Sequence, residues 1–521
     1  MVKVFDTDVL VIGSGGAGLR AAIEADAKGA KVIIVSKSAT GMKTASVVTN
    51  GWFRAAVGGV TKEQHFKATM DGGKGLNDPE LVKILVEEGP MRVLELEKYG
   101  MALQTHNGMI SCGDNPLARG LGFIQPMVDY LKTQGVTLVD DCIITKLIVH
   151  DNRVIGAAGY RDEPVIFNAK ATILATGGSG ALYPRSDCPV TLTGDGYALA
   201  YDAGAALRDM EFVQFLPGGL AEEGQPMIPI YGPLIEEGLI MNTDGEDLVV
   251  KHNITARPLA LMSRDLLSRA MMREVWDGKG VDGAILIDAT KIIKEKGYGI
   301  FENPAHRRVM EAIKTAERPI KVAPLCHFVM SGLQITPNCE TNLEGLYAAG
   351  EVTGGIHGAN RIGGNAMTEI IVFGARAGTS AAKYASGASR LDSTMLAQYE
   401  IARLEAKQGE ANNVNVLGRL RKIMWSHVGV VRSGEKLREA IEMFSILGDE
   451  AQKQKAQTPH EIKQILETEM AVTAAMLTAT AALERMESRG THFRLDFPES
   501  SPNWASPLKL QKTPDGPAVF P

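Results

Sequence analysis

TDVLVIGSGGAGLRAAIEADAKGAKVIIVSK, residues 7–37, reads as a strand, a glycine turn, an amphipathic helix and a second strand. The apolar runs VLVIG and KVIIVS suit strands buried on both faces of a parallel sheet, and LRAAIEADAKGA between them has helical spacing. Gly13, Gly15 and Gly18 fill G-x-G-x-x-G directly after the first strand, with Gly16 inside the same turn. There glycine lets the backbone turn tightly and approach a pyrophosphate seated on the helix N-terminus. The stretch predicts a dinucleotide-binding βαβ unit. Its second strand ends in Ser36-Lys37-Ser38, the place where an acidic ribose ligand is common.

Two later stretches extend this unit. ATILATGGSGALYP, residues 171–184, is an apolar strand that ends in a glycine turn at Ala175-Thr176-Gly177, and LEGLYAAGEVTGG, residues 343–355, is another that ends at Gly350-Glu351. Glycine-terminated strands so far apart imply one nucleotide domain assembled from distant segments, as large FAD domains are. The expected class is α/β: a Rossmann-like FAD-binding domain with an inserted α+β capping domain and a C-terminal helical domain. The expected boundaries are 1–215 and 331–392 for the FAD domain and 216–330 for the cap. A helical domain over 393–490 and an irregular, proline-rich tail over 491–521 complete the chain.

The totals bound the function. With 521 residues, 45% hydrophobic and 22% charged, the chain is ordinary globular material for two or three domains. A net charge of -6 and no dense Lys/Arg block argue against nucleic acid as a partner. The opening MVKVFDTDVLVIGSGG runs straight into a strand pattern without a secretory signal, and no apolar run approaches a membrane span, so a cytoplasmic location is expected, with membrane association only through a partner subunit. The cysteines Cys112, Cys142, Cys188, Cys326 and Cys339 show no C-x-x-C spacing. No metal or iron–sulfur site is expected, so electrons that travel far need another protein.

GIHGANRIGGNAMTE, residues 355–369, packs His, Asn and Arg among glycines and reads as a floor for something flat and charged. With VIGSGGAGLRAA, ATGG, TGDGYALAYDAGA followed by MEFVQF, SRDLLSRA, HFVMSGLQITPNCETNLEGLYAAGEV and ESRGTHFRLDFPES, it forms an ordered series along almost the whole chain. In this series the chain resembles the flavoprotein subunit family of fumarate reductase and succinate dehydrogenase, which includes L-aspartate oxidase. The resemblance implies hydride exchange between flavin N5 and a carbon beside a carboxylate, with an Arg of the cap shuttling the proton. Arg264 matches that shuttle, while His327 and Arg361 match the residues that hold a substrate carboxylate. It further implies FAD contacts from Gly13, Gly15, Gly16, Gly18, Ser36, Lys37, Ser38, Asn50, Gly51, Ala175, Thr176, Gly177, Asp195, Glu351, Asn365 and Ala366. An iron–sulfur electron-transfer subunit or a soluble electron donor is the implied partner.

Two departures qualify the resemblance. Members with covalent flavin attach it through a His after the second strand; here that segment reads TASVVTNGWFRAAV, residues 44–57, and the first histidine is His65. Non-covalent FAD is expected. Fumarate enzymes of the family also place a His and a Thr on the second carboxylate, where this chain has Leu216 and Ile230, the latter followed by Tyr231. A buried carboxylate without donors is costly. The substrate expected from these residues is a carboxylic acid other than a plain C4 dicarboxylate. A true fumarate reductase with a rebuilt clamp and an amino-acid oxidase resembling L-aspartate oxidase remain as alternatives.

Overall fold

The computed structural model describes residues 2–113, 119–230, 232–301, 303–412, 414–514 and 516–520. Its centre is a sheet in which strand Lys3–Ile12 runs parallel to Val32–Val35 on one side and to Pro164–Leu174 on the other, with Thr137–Val139 beyond Val32–Val35. Strand Pro164–Leu174 serves two partners. Its first half pairs antiparallel with the hairpin strand Arg153–Tyr160, and its last residues take Leu346–Ala348 as a parallel neighbour. The residues that complete the parallel sheet thus come from far along the chain.

Helix Gly16–Ala27 lies against helix Asn365–Gly387. Glycine makes this contact close: a Cβ on Gly378 would stand 2.1 Å from the Ala21 carbonyl oxygen, and one on Gly374 2.7 Å from that of Ala17. The long helix carries the floor stretch at its N-terminus and is therefore fixed directly to the first βαβ unit.

The inserted region forms an antiparallel sheet ordered Val213–Leu220, Ile320–Val329, Ile285–Asp288, Leu239–Met241, with helix Arg264–Trp276 packed on it. It has its own apolar core, including Leu220, Ile230, Ile287 and Val322. Its first two strands join that core to the main one, to which Val213, Phe215, Cys326 and Val329 belong. The expected boundary at residue 216 falls inside a continuous strand, Val213–Leu220.

Helices Thr394–Glu405, Val416–His427, Gly434–Gln452 and Pro459–Glu484 follow. Thr458 and Glu461 form a capping box at the start of the last, where side chains satisfy N–H groups that the helix cannot. Residues 491–521, expected to be irregular, contain a hairpin of Lys509–Thr513 and Gly516–Phe520 that adds to Leu207–Arg208. Pro517 is tolerated because its strand is the outer edge, where no further strand asks for its missing N–H. Among the described residues no helix is long and apolar enough to cross a membrane.

Candidate active site

The glycines of the first turn divide their work. Gly13 has φ +108°, and a Cβ there would stand 2.2 Å from the Ala175 carbonyl oxygen; one on Gly18 would stand 2.1 Å from the oxygen of Gly13. Both are needed for the turn to close against the neighbouring strand and its own helix. Gly16 is filled from outside by Ile370 and Phe123, whereas a Cβ on Gly15 would meet nothing nearer than Ser46 Oγ at 3.5 Å. Gly15 therefore leaves room at the N-terminus of a helix without a side-chain cap, where N–H groups and the helix dipole favour an anion. Thr176 Oγ1 is buried nearby without a hydrogen-bond partner among the described residues, and it stands over Gly196. This cradle fits the pyrophosphate and adjoining groups of a dinucleotide.

The residues that end the second strand divide their roles too. Ser36 Oγ accepts from Ser14 Oγ at 2.8 Å, and Ser38 Oγ donates to the Met42 carbonyl at 2.9 Å, so both brace the turn. Lys37 Nζ lies 2.6 Å from Asp195 Oδ2 and 2.5 Å from Glu467 Oε1. Burial pulls its amine down, but the two carboxylates outweigh burial and hold it above the usual range. Glu467, from the last long helix, had no motif to mark it.

The floor stretch is held from below. Asn365, fully buried, pairs with His65 Nε2 at 2.8 Å and donates to Thr69 Oγ1 at 3.0 Å. Its side chain is thus engaged within the protein, and Ala366 packs on a small cluster containing Phe212 and Phe328. Asn50 is exposed and Gly51 is buried, the Gly51 carbonyl accepting from Cys112 N. Glu351 Oε1 accepts from Val329 N at 3.0 Å, and a Cβ on Gly178 would stand 2.5 Å from that oxygen. Burial pushes the Glu351 carboxyl up from 4.5 to about 7, with the Val329 N–H and Arg361 opposing.

The matched charged residues come together on the seam between the two cores. Gln214 Oε1 accepts from Arg264 Nη1 and from Arg361 Nη2, each at 3.1 Å. Gln214 Nε2 donates to Asn360 Oδ1 at 2.7 Å and to the Arg361 carbonyl at 2.9 Å. The Arg361 guanidinium stands 4.4 Å from the centroid of Phe328. Burial, then the adjacent Arg264, push it down to about 10, and it stays protonated at neutral pH.

His327 precedes Phe328. Gln214 pairs with Phe328 and Phe215 with Cys326, so His327 is the extra residue of a β-bulge, a device that re-aims a side chain. Its Nδ1 meets the Asp187 carboxylate at 2.9 and 3.1 Å. On the other side of Phe328 lies His357, whose Nε2 reaches Glu369 Oε2 at 2.9 Å. Gln214 and Asp187 carry no signal of their own in the sequence, although Gln214 stands within MEFVQF.

Leu216 is buried in the bulged strand opposite Leu325, and Ile230 packs in the cap's own core. Tyr231 lies outside the described residues.

Residues 8–367 match the model of the FAD binding domain family, and residues 418–514 match that of the fumarate reductase flavoprotein C-terminal region. Among curated proteins the chain is 35% identical to a subunit of the fumarate reductase (CoM/CoB) of Methanothermobacter marburgensis, covering 98% of both chains. It is 29% identical to the L-aspartate oxidase of a Synechocystis species, covering 97% of each. Among solved structures, Mycobacterium smegmatis Sdh1 in complex with UQ1 superposes with a TM-score of 0.87 at 29% identity, covering 100% of this chain and 94% of the other.

Proposed function

The chain belongs to the flavoprotein subunit family of fumarate reductase and succinate dehydrogenase, and we propose that it is the catalytic subunit of a reductase for the C=C bond of an α,β-unsaturated carboxylate, with fumarate as the leading substrate. The observation that carries this reading is the sharing of Gln214 Oε1 by Arg264 and Arg361, two buried cations beside His327. In this reading FAD is bound without a covalent link and supplies or accepts a hydride at N5. Arg361 and His327 hold the carboxylate, by a planar fork and a ring nitrogen. Arg264 delivers the proton to the carbon that does not take the hydride, and Gln214 fixes its direction of approach. A buried pair of cations lowers the cost of holding a proton donor that must also give its proton up.

Ile230 bears on the substrate. Its place in the cap core accounts for an apolar residue there without any contact to a ligand, which removes half of the case against a dicarboxylate. The M. marburgensis relative, described as part of a fumarate reductase, points the same way. Electrons would arrive from a partner carrying redox centres, as that description of the relative suggests.

The test is anaerobic. The FAD-loaded protein is photoreduced and mixed with fumarate and, separately, with monocarboxylic enoates, while flavin absorbance is followed. Rapid reoxidation by fumarate supports the proposal. Reoxidation by monocarboxylates alone would return Leu216 to the substrate wall. Rapid reoxidation by oxygen and peroxide release, with L-aspartate as the reductant, would favour the oxidase reading.

A further inference from the structure

We propose that Asp187 makes carboxylate capture by His327 depend on the uptake of one proton, an inference that rests on the assignment of His327 as a substrate anchor. A neutral imidazole has one N–H. An ionised carboxylate is an acceptor only, so Asp187, 2.9 Å from Nδ1, takes that N–H. Nε2 of the neutral ring then shows the site a lone pair, which repels a carboxylate. No described residue hydrogen-bonds to Nε2, so nothing within the protein opposes this choice of tautomer. Protonation from solvent turns Nε2 into a donor while the Nδ1–H stays on Asp187, and the anion and the proton enter together.

The surroundings favour such pairing. Asp187 and Cys188 lie on one loop, whose Arg185 carbonyl accepts from Cys326 N, and Cys188 Sγ donates to the His327 carbonyl at 3.4 Å. Burial holds the Cys188 and Cys326 thiols well above their usual range, so both stay neutral. Glu351 contacts the same strand through Val329 N, while Arg361 and Arg264 stand on the far side of Gln214. Asp187 is the carboxylate in direct contact with the ring. It is a positioning residue, since it acts on the ligand only through His327.

The experiment titrates oxidised, FAD-loaded protein with fumarate between about pH 5.5 and 8.5, following the flavin spectrum. Calorimetry in buffers of different ionisation heat counts the protons taken up. On the alkaline side the wild-type Kd is expected to rise about tenfold per pH unit, with about one proton bound per ligand. Asp187→Asn can donate to Nδ1 as well as accept from it, which lets the neutral ring show an N–H at Nε2. It should bind with little pH dependence and no proton uptake, whereas Asp187→Ala should bind weakly at every pH. A wild-type Kd that does not change with pH, or an Asp187→Asn variant with the wild-type slope, overturns the inference alone. Undiminished binding in His327→Gln, or no binding of fumarate to the wild type, overturns the anchor assignment itself.

Discussion

Gln214 holds Arg361 at both ends of its amide: Oε1 accepts from Nη2 at 3.1 Å, and Nε2 donates to the Arg361 carbonyl at 2.9 Å. The same oxygen accepts from Arg264, so one neutral group fixes two cations that would otherwise repel each other. Gln214→Leu is expected to lower turnover by about a hundredfold, the order of effect of losing one preorganised electrostatic contact in an active site. Gln214→Glu should instead raise KM, because its charge competes with the ligand's. Steady-state assays with reduced viologen separate the two; full turnover in the Leu variant would show the shared acceptor to be idle.

Arg264 starts helix Arg264–Trp276 and faces the seam from the cap side. A proton donor contributes about 10²- to 10⁴-fold to rate. Arg264→Gln should lose turnover in that range while its Kd for fumarate, read from the flavin spectrum, moves only a few-fold. Equal losses in both quantities would mark Arg264 as a binding group instead.

The raised Glu351 carboxyl makes a prediction for the flavin-free protein. Because its folded value is about 7 against an ordinary 4.5, the folded state binds more protons across that window, and stability falls as pH rises through it. Glu351→Gln should melt higher than wild type above pH 7, by up to about 3 kcal/mol of stability. Near pH 4.5 the two should melt alike. Calorimetric melting at both ends of the window checks the sign.

Arg485, fully buried, makes ion pairs with Glu211, Glu487 and Asp209 and donates from Nη1 to the Trp504 carbonyl. Removing one member of a buried ionic cluster strands the others, which costs about 3–5 kcal/mol. Arg485→Met should lower the urea midpoint accordingly. Since Glu211 lies three residues before Gln214, the variant should also impair turnover when assayed well below its melting temperature.

Lys37 sits between Asp195 and Glu467, and without its ammonium these carboxylates face each other. Lys37→Met should lose FAD on gel filtration under conditions where wild type keeps it. Glu467→Gln should retain more flavin than Lys37→Met, because it removes one of the opposed charges.

The parts of this molecule that sequence reveals are those whose physics is local. The turn at Gly13 and the strands around it follow from spacing within about thirty residues, because a phosphate cradle needs its glycines in one turn. Gln214, Asp187 and Glu467 act on Arg361, His327 and Lys37 across 147, 140 and 430 residues, and no periodicity records such contacts. Ile230 shows the opposite error. Its residue type at an aligned position suggests a pocket wall, but the direction of its side chain is decided by the cap's own packing.

Strand Leu346–Ala348 closes the central sheet only after the whole cap has been made. On a ribosome moving at roughly 5–20 residues per second, strand Pro164–Leu174 waits on the order of ten seconds for that neighbour. During the wait its apolar edge is open, and Glu351, Arg361 and the floor glycines do not yet exist. Flavin capture is therefore a late event in the life of the nascent polypeptide, and the edge left open until then is where a chaperone has most to protect.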